Sequence, residues 1–103
     1  MLTAFILVTV EREHLETLGD RIAGVEGVAE AYTVTGPWDF VAIARVQEHE
    51  DLVETVTRGL ARLEGIVRTE TLIAFQVFSR HDLARMWSLG LEPPEESPPP
   101  TGA

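Results

Sequence analysis

A weak internal repeat constrains this chain more than any other feature. VEGVAEAYT, from Val25 to Thr33, returns 38 residues later as LEGIVRTET, from Leu63 to Thr71. Each copy runs from the end of a helical pattern across a glycine into the start of a strand. The apolar spacing around the two copies is regular. Leu2 to Val10 is rich in β-branched and aromatic residues and predicts a first strand. Leu15, Leu18, Ile22 and Val25 then recur at helical spacing, and Gly24 and Gly27 stop that helix. Glu11, Glu13 and Glu16 crowd its first turns, where the helix dipole favours negative charge. Strands follow at Val28 to Thr35 and Phe40 to Val46, with a Gly36-Pro37 turn between them. A second helix opens with Glu48, Glu50 and Asp51, carries Leu52, Val53, Val56, Leu60 and Leu63, and closes on Arg58, Arg62 and Gly65. Arg68 to Phe78 is the fourth strand.

Two βαβ halves in the order β-α-β-β-α-β predict an α+β, ferredoxin-like fold, with an antiparallel four-stranded sheet and two helices on one face. Residues 1–80 make up this domain. Residues 81–91, which include Asp82 to Leu91 (DLARMWSLGL), predict a short C-terminal helix, and 92–103 is a Pro-rich acidic tail expected to be disordered.

The strands carry apolar residues on both faces. Strand one sets Ala4, Ile6 and Val8 against Phe5 and Leu7. Strand three sets Val41 and Ile43 against Phe40, Ala42, Ala44 and Val46, and strand four sets Ile73, Phe75 and Val77 against Leu72, Ala74 and Phe78. Two helices cover only one face, and a bare apolar face marks an interface. The expectation is self-association, most simply as a two-fold homodimer through the sheet. The alternative is that the C-terminal segment folds back over the open face.

Charge excludes another class of partner. The chain holds 17 acids against 8 bases, all of them arginine, for a net charge of −9. Affinity for nucleic acid rests largely on basic residues neutralising phosphates, so no direct nucleic-acid binding is expected. No apolar run approaches the roughly 18–20 residues of a membrane span. The absence of cysteine removes a disulfide framework and thiol catalysis, and makes a cytoplasmic location the default.

Catalytic signatures are sparse. His14, His49 and His81 stand one per segment without ligand spacing, and His14 and His49 read as solvated residues at helix starts. No nucleophile motif or phosphate loop occurs. No catalytic residue, metal or cofactor is expected. Two strand-end motifs remain: Tyr32 to Asp39 around the hairpin turn, and Gly65 to Thr71 leading into strand four. The glycine turn offers backbone amides for a carboxylate, Asp39 offers an acceptor for an ammonium, and the Thr69 and Thr71 hydroxyls serve either. That set suits a zwitterionic amino acid. The plainer alternative is that Asp39 caps the turn's own amides, Trp38 packs on a neighbouring subunit, and the threonines are ordinary strand residues.

These motifs, Val34-Thr35-Gly36-Pro37-Trp38-Asp39 and Gly65-Ile66-Val67-Arg68-Thr69-Glu70-Thr71, resemble the V-x-G-x-x-D hairpin and G-V-x-x-T-x-T strand entry of the effector-binding (RAM) domain of the Lrp/AsnC transcriptional regulators. The resemblance spans about residues 2–78. It implies a domain that dimerises through its sheet, assembles further into rings such as octamers, and binds an amino-acid effector between dimers. By position, Gly36, Trp38, Asp39, Arg68, Thr69 and Thr71 would line that site. Family members carry an N-terminal helix-turn-helix domain, whereas this sequence starts at the first strand. A stand-alone effector module is therefore expected, one that modulates transcription indirectly, with a full-length regulator as a possible partner. Two other readings stay open: a small dimeric αβ-barrel oxygenase or isomerase, and an ACT-like regulatory domain.

Overall fold

In the computed structural model, residues 1–78 and Arg80 are described. The first strand, β1, runs Leu2–Val10, and its alternation is complete: Ala4, Ile6 and Val8 are fully buried while Phe5 faces outward. A 3₁₀ turn, Arg12–His14, leads into α1, Leu15–Ala23, which buries Leu18 and Ile22 at the four-residue spacing of one helix face. Next come β2, Val28–Thr33, and β3, Phe40–Val46. The second helix, α2, is regular over His49–Glu54, widens into a π-type turn at Thr55–Gly59 and tightens into a 3₁₀ turn at Leu60–Arg62. Its start is fixed by the Glu48 amide, which donates to the Asp51 carboxylate at 3.1 Å. The last strand, β4, is Ile66–Ile73.

The strands pair antiparallel in the order β2-β3-β1-β4, which is the ferredoxin-like arrangement expected from the repeat. The register sets Ala4 opposite Ala44, Ile6 opposite Ala42 and Val8 opposite Phe40. These small alanines at the sheet centre leave room for helix side chains, and Leu18, Ile22, Leu52 and Leu60 fill it. Where the two helical segments close on the sheet, the buried Thr55 hydroxyl lies 3.0 Å from both the Glu26 and the Asp51 carbonyls, to which it donates. Gly27 sits there at φ +96°, and a side chain on it would run into that hydroxyl.

Element ends differ from expectation at three places. β2 stops at Thr33 rather than Thr35, because the chain turns into the hairpin, where the Val34 amide donates to the Asp39 carbonyl at 3.1 Å. β4 begins at Ile66 and ends at Ile73 rather than running Arg68 to Phe78. Its partner runs out: the Ala74 amide still reaches the Thr3 carbonyl at 2.8 Å, and β1 has only Leu2 left beyond that point. The second helix ends at Arg62, since Leu63 is already extended. The expected C-terminal helix (81–91) and the acidic tail (92–103) lie outside the described residues. Among the described residues no helix is long and apolar enough to cross a membrane.

Candidate functional site

The hairpin between β2 and β3 is fastened to the end of β1 by one residue. The β1–β4 register shifts between Thr9 and Val10, and a bulge of this kind takes a backbone group out of the ladder. Asp39 fills the gap, because the Val10 amide donates to Asp39 Oδ2 at 2.8 Å. The Asp39 amide in turn donates to the Val8 carbonyl at 2.8 Å. The carboxylate therefore serves an amide of β1 and not the hairpin's own, which corrects the plainer alternative that it caps its own turn. Its other oxygen makes no hydrogen bond within the described residues, and an ionised carboxylate accepts several.

Beside it, the Arg68 guanidinium lies over the Trp38 ring, 4.8 Å from its centroid. A cation held this way prefers the face of an indole. Arg68 also reaches Glu70, with Nη2 3.8 Å from Oε1. The β4 register explains the stack: Arg68 stands opposite Thr9 and Glu70 opposite Leu7, on the sheet face away from the helices. Thr69 and Thr71 stand opposite Val8 and Ile6, so they belong to the helix-side face and are half-buried. The strand alternation thus divides the six predicted residues. Trp38 and Arg68 meet, Asp39 is tied to β1, and the two threonines lie across β4 from Arg68. Gly36 occupies the exposed hairpin at φ +111°, with nothing within 4 Å of where a side chain would begin. The described residues do not bring these six into one enclosed pocket.

The open sheet face around them is apolar at its centre and charged at both rims. Phe5 pairs with Ile43 and Leu72, and Leu7 with Val41. Phe5 is 40% exposed, Leu72 47% and Tyr32 51%. At the β2 rim the Tyr32 hydroxyl donates to Glu30, and Arg45 Nη1 lies 3.2 Å from the same carboxylate. The Tyr32 bond, then Arg45, holds the Glu30 carboxyl below its ordinary range, and Glu30 raises the Tyr32 phenol.

A cleft of about 770 Å³ opens at the other end of the sheet, lined by Val25, Glu26, Gly27, Val46, Gln47, Asp51, Glu54, Thr55, Arg58 and Gly59. None of the six predicted residues lines it. His14 departs from its expected solvated setting: it is half-buried, its ring lies against Gly65, and Nε2 is 3.8 Å from Glu11. His49 is exposed, and His81 lies outside the described residues. Sequence reasoning missed the Val10 amide and the Trp38–Arg68 stack. The one signal for the stack was an arginine at the strand entry; the bulge that frees Val10 has none.

The Lrp/AsnC ligand binding domain family model matches residues 3–83. Among solved structures, the chain is similar to TTHA0845 from Thermus thermophilus, at 46% identity over 78% of this chain and 100% of that one, with a TM-score of 0.73. It is also similar to the hypothetical protein PHS023 from Pyrococcus horikoshii, at 27% identity over 79% of this chain and 96% of that one, with a TM-score of 0.67. The Neisseria meningitidis transcriptional regulator NMB0573, solved as a complex with L-Met, shares the fold at 18% identity and a TM-score of 0.69; the match covers 76% of this chain and 52% of the regulator. The curated proteins contain no match to the chain.

Proposed function

The chain belongs to the Lrp/AsnC ligand-binding-domain family, and from that premise we propose that it is an amino-acid-sensing regulatory module working as an assembly of its own copies. One observation carries the reading: the Asp39–Trp38–Arg68 group stands at the rim of a sheet face on which, among the described residues, the large apolar side chains Phe5, Tyr32 and Leu72 are exposed. Copies dimerise through that face, and burying apolar area of this kind is worth about 25 cal/mol per Å². Dimers associate further, in a ring such as an octamer, and supply a wall for the site. The ligand's ammonium meets the second oxygen of Asp39, and its carboxylate meets Arg68 and the amides of the Gly36 turn. Thr69 and Thr71 complete the site from the other side of β4's free edge.

The role is regulatory and not catalytic. With a net charge of −9, the chain leaves DNA contact to another protein and acts on transcription indirectly. A full-length regulator of the same family, sharing this sheet face, is the fitting partner, and both work in the cytoplasm. The test is a thermal-shift screen of the common amino acids, L-methionine first, with native mass measured alongside. One or two amino acids should raise Tm, and Arg68→Ala should remove the shift while leaving the mass unchanged. A wild-type protein that responds to none of them at millimolar concentration overturns the proposal.

A further inference from the structure

The short segment that joins β1 to α1 touches the candidate site at three points. The Val10 amide donates to Asp39 Oδ2 at 2.8 Å. The Glu11 amide donates to the Gly65 carbonyl at 2.8 Å. The third point is His14, whose ring lies against Gly65 itself. A side chain begun at Gly65 would stand 2.6 Å from the His14 Cγ and 2.8 Å from its Cδ2, so the ring sits where only a glycine admits it. The His14 side chain is 24% exposed, and its amide is fixed by a 2.9 Å bond to the Glu11 carbonyl. The amino-acid site proposed above makes no use of this half-buried ring.

We infer that His14 is a positioning residue for this site: its ring pins Gly65, and so sets how β4 enters the sheet and where Arg68 stands. The bulge is the reason such a pin is needed. Arg68 pairs with Thr9 and Ile66 with Val10, so Val67 between them has no partner on β1 and is 63% exposed. A bulge disrupts the ladder locally and re-aims the side chains beside it. From Thr69 onward the regular pairs hold β4; at its entry the Glu11–Gly65 bond and the His14 ring take over that work. Gly65 has φ +101°, and a glycine released from such a contact has the widest choice of backbone conformation. Three residues of extended chain span about 10 Å, which puts the Arg68 backbone within close reach of any change there. The guanidinium then leaves the Trp38 ring, whose centroid it now approaches to 4.8 Å. Packing and not charge does the pinning, since Nε2 is 3.8 Å from Glu11 Oε1, beyond hydrogen-bond reach. The effect of His14 on a bound amino acid rests on the proposed function, whereas its effect on the Trp38–Arg68 stack does not.

The chain has two tryptophans, so Trp87→Phe leaves Trp38 as the only indole. In that background Arg68→Ala defines the Trp38 emission without its cation. His14→Ala should reproduce most of that change while the far-ultraviolet spectrum stays that of the folded protein. His14→Phe, which returns a flat ring to Gly65, should restore the parent emission, and His49→Ala, at an exposed histidine, should leave it alone. His14→Gln replaces His14→Ala if the latter does not fold, and should move the emission the same way. With L-methionine as the probe, the concentration giving a half-maximal rise in Tm should increase roughly fivefold in His14→Ala and return in His14→Phe. Parent emission in a folded His14→Ala or His14→Gln protein overturns the inference. So does a His14→Phe protein that behaves like His14→Ala, because a polar contact and not ring packing then does the work. An Arg68→Ala protein with the parent emission overturns it too, since the stack is then not formed in solution. A parent protein whose Tm responds to no amino acid overturns the proposed function and leaves the emission to decide the role of His14.

Discussion

Ala4, Ile6 and Val8 are wholly buried on one side of β1, whereas Phe5, between the first two, is 40% exposed on the other. The same contrast runs across the sheet. Phe40, Ala42 and Ala44 are sealed under the helices, while Tyr32 and Leu72 look outward. Both faces have apolar centres, so hydrophobicity does not separate them. What separates them is steric detail and charge. The helix side is built from alanines and closely fitted branched side chains. The open side has larger ones, Phe5, Tyr32 and Leu72 partly exposed around the buried Ile43, with Glu30 and Arg45 paired at one rim and Arg68 and Glu70 at the other. The first is closed by the helices, and the second carries its large apolar side chains partly exposed.

The largest expected effect tests the sealed face. Phe40→Ala should cost about 3–5 kcal/mol of unfolding free energy, as truncation of a buried aromatic does. Leu72→Ala, measured by urea titration at concentrations where the chain is dissociated, should cost less than about 1 kcal/mol. Equal costs would erase the distinction between the faces. A second pair separates strain from crowding on the two sides of the molecule. Gly27 and Gly36 both have positive φ, but of the two only Gly27 faces a neighbouring atom, the Thr55 hydroxyl. Gly36→Ala should cost about 1–2 kcal/mol from backbone strain. Gly27→Ala should cost about 1–3 kcal/mol more, because overpacking is added.

Asp39→Ala leaves the Val10 amide without its acceptor and should lower stability by about 1–3 kcal/mol, while Arg68→Ala, in an exposed stack, should cost under about 1 kcal/mol. A loss of amino-acid response in both variants, but of stability only in the first, would distinguish the clamp from the ligand contact. Phe5→Arg should leave monomer unfolding nearly unchanged yet shift the native mass from dimer to monomer, and the amino-acid response should vanish with the hairpin intact. The smallest effect is a titration. Tyr32 is the sole tyrosine, so tyrosinate absorbance reads it alone. Its pKa is raised in the folded state, so the protonated phenol is favoured there, and that stabilisation is present below the ordinary tyrosine range and lost as pH rises through the folded pKa. Glu30→Gln should bring the midpoint back down. An unchanged midpoint would mean the rim pair does not form in solution.

The sequence by itself determined the order of elements, the core and the two-faced character of the sheet. Period-two and period-3.6 apolar spacing are local properties, and the repeat from Val25 to Thr33 and Leu63 to Thr71 carried them twice. It also pointed to Trp38, Asp39, Arg68, Thr69 and Thr71 as one group, through motif order and spacing. Only the tertiary structure decided where each of them sits and what it touches. The ends of β2 and β4 depend on when the neighbouring strand runs out, which no window of sequence contains. The job of Asp39 depends on a bulge between Thr9 and Val10, 29 residues away along the chain from its carboxylate. The register of β4 on β1 then turned Arg68 toward Trp38 and the two threonines to the opposite face. Pairing register is a long-range choice made by the packed sheet, and a one-residue shift would have exchanged those two sides.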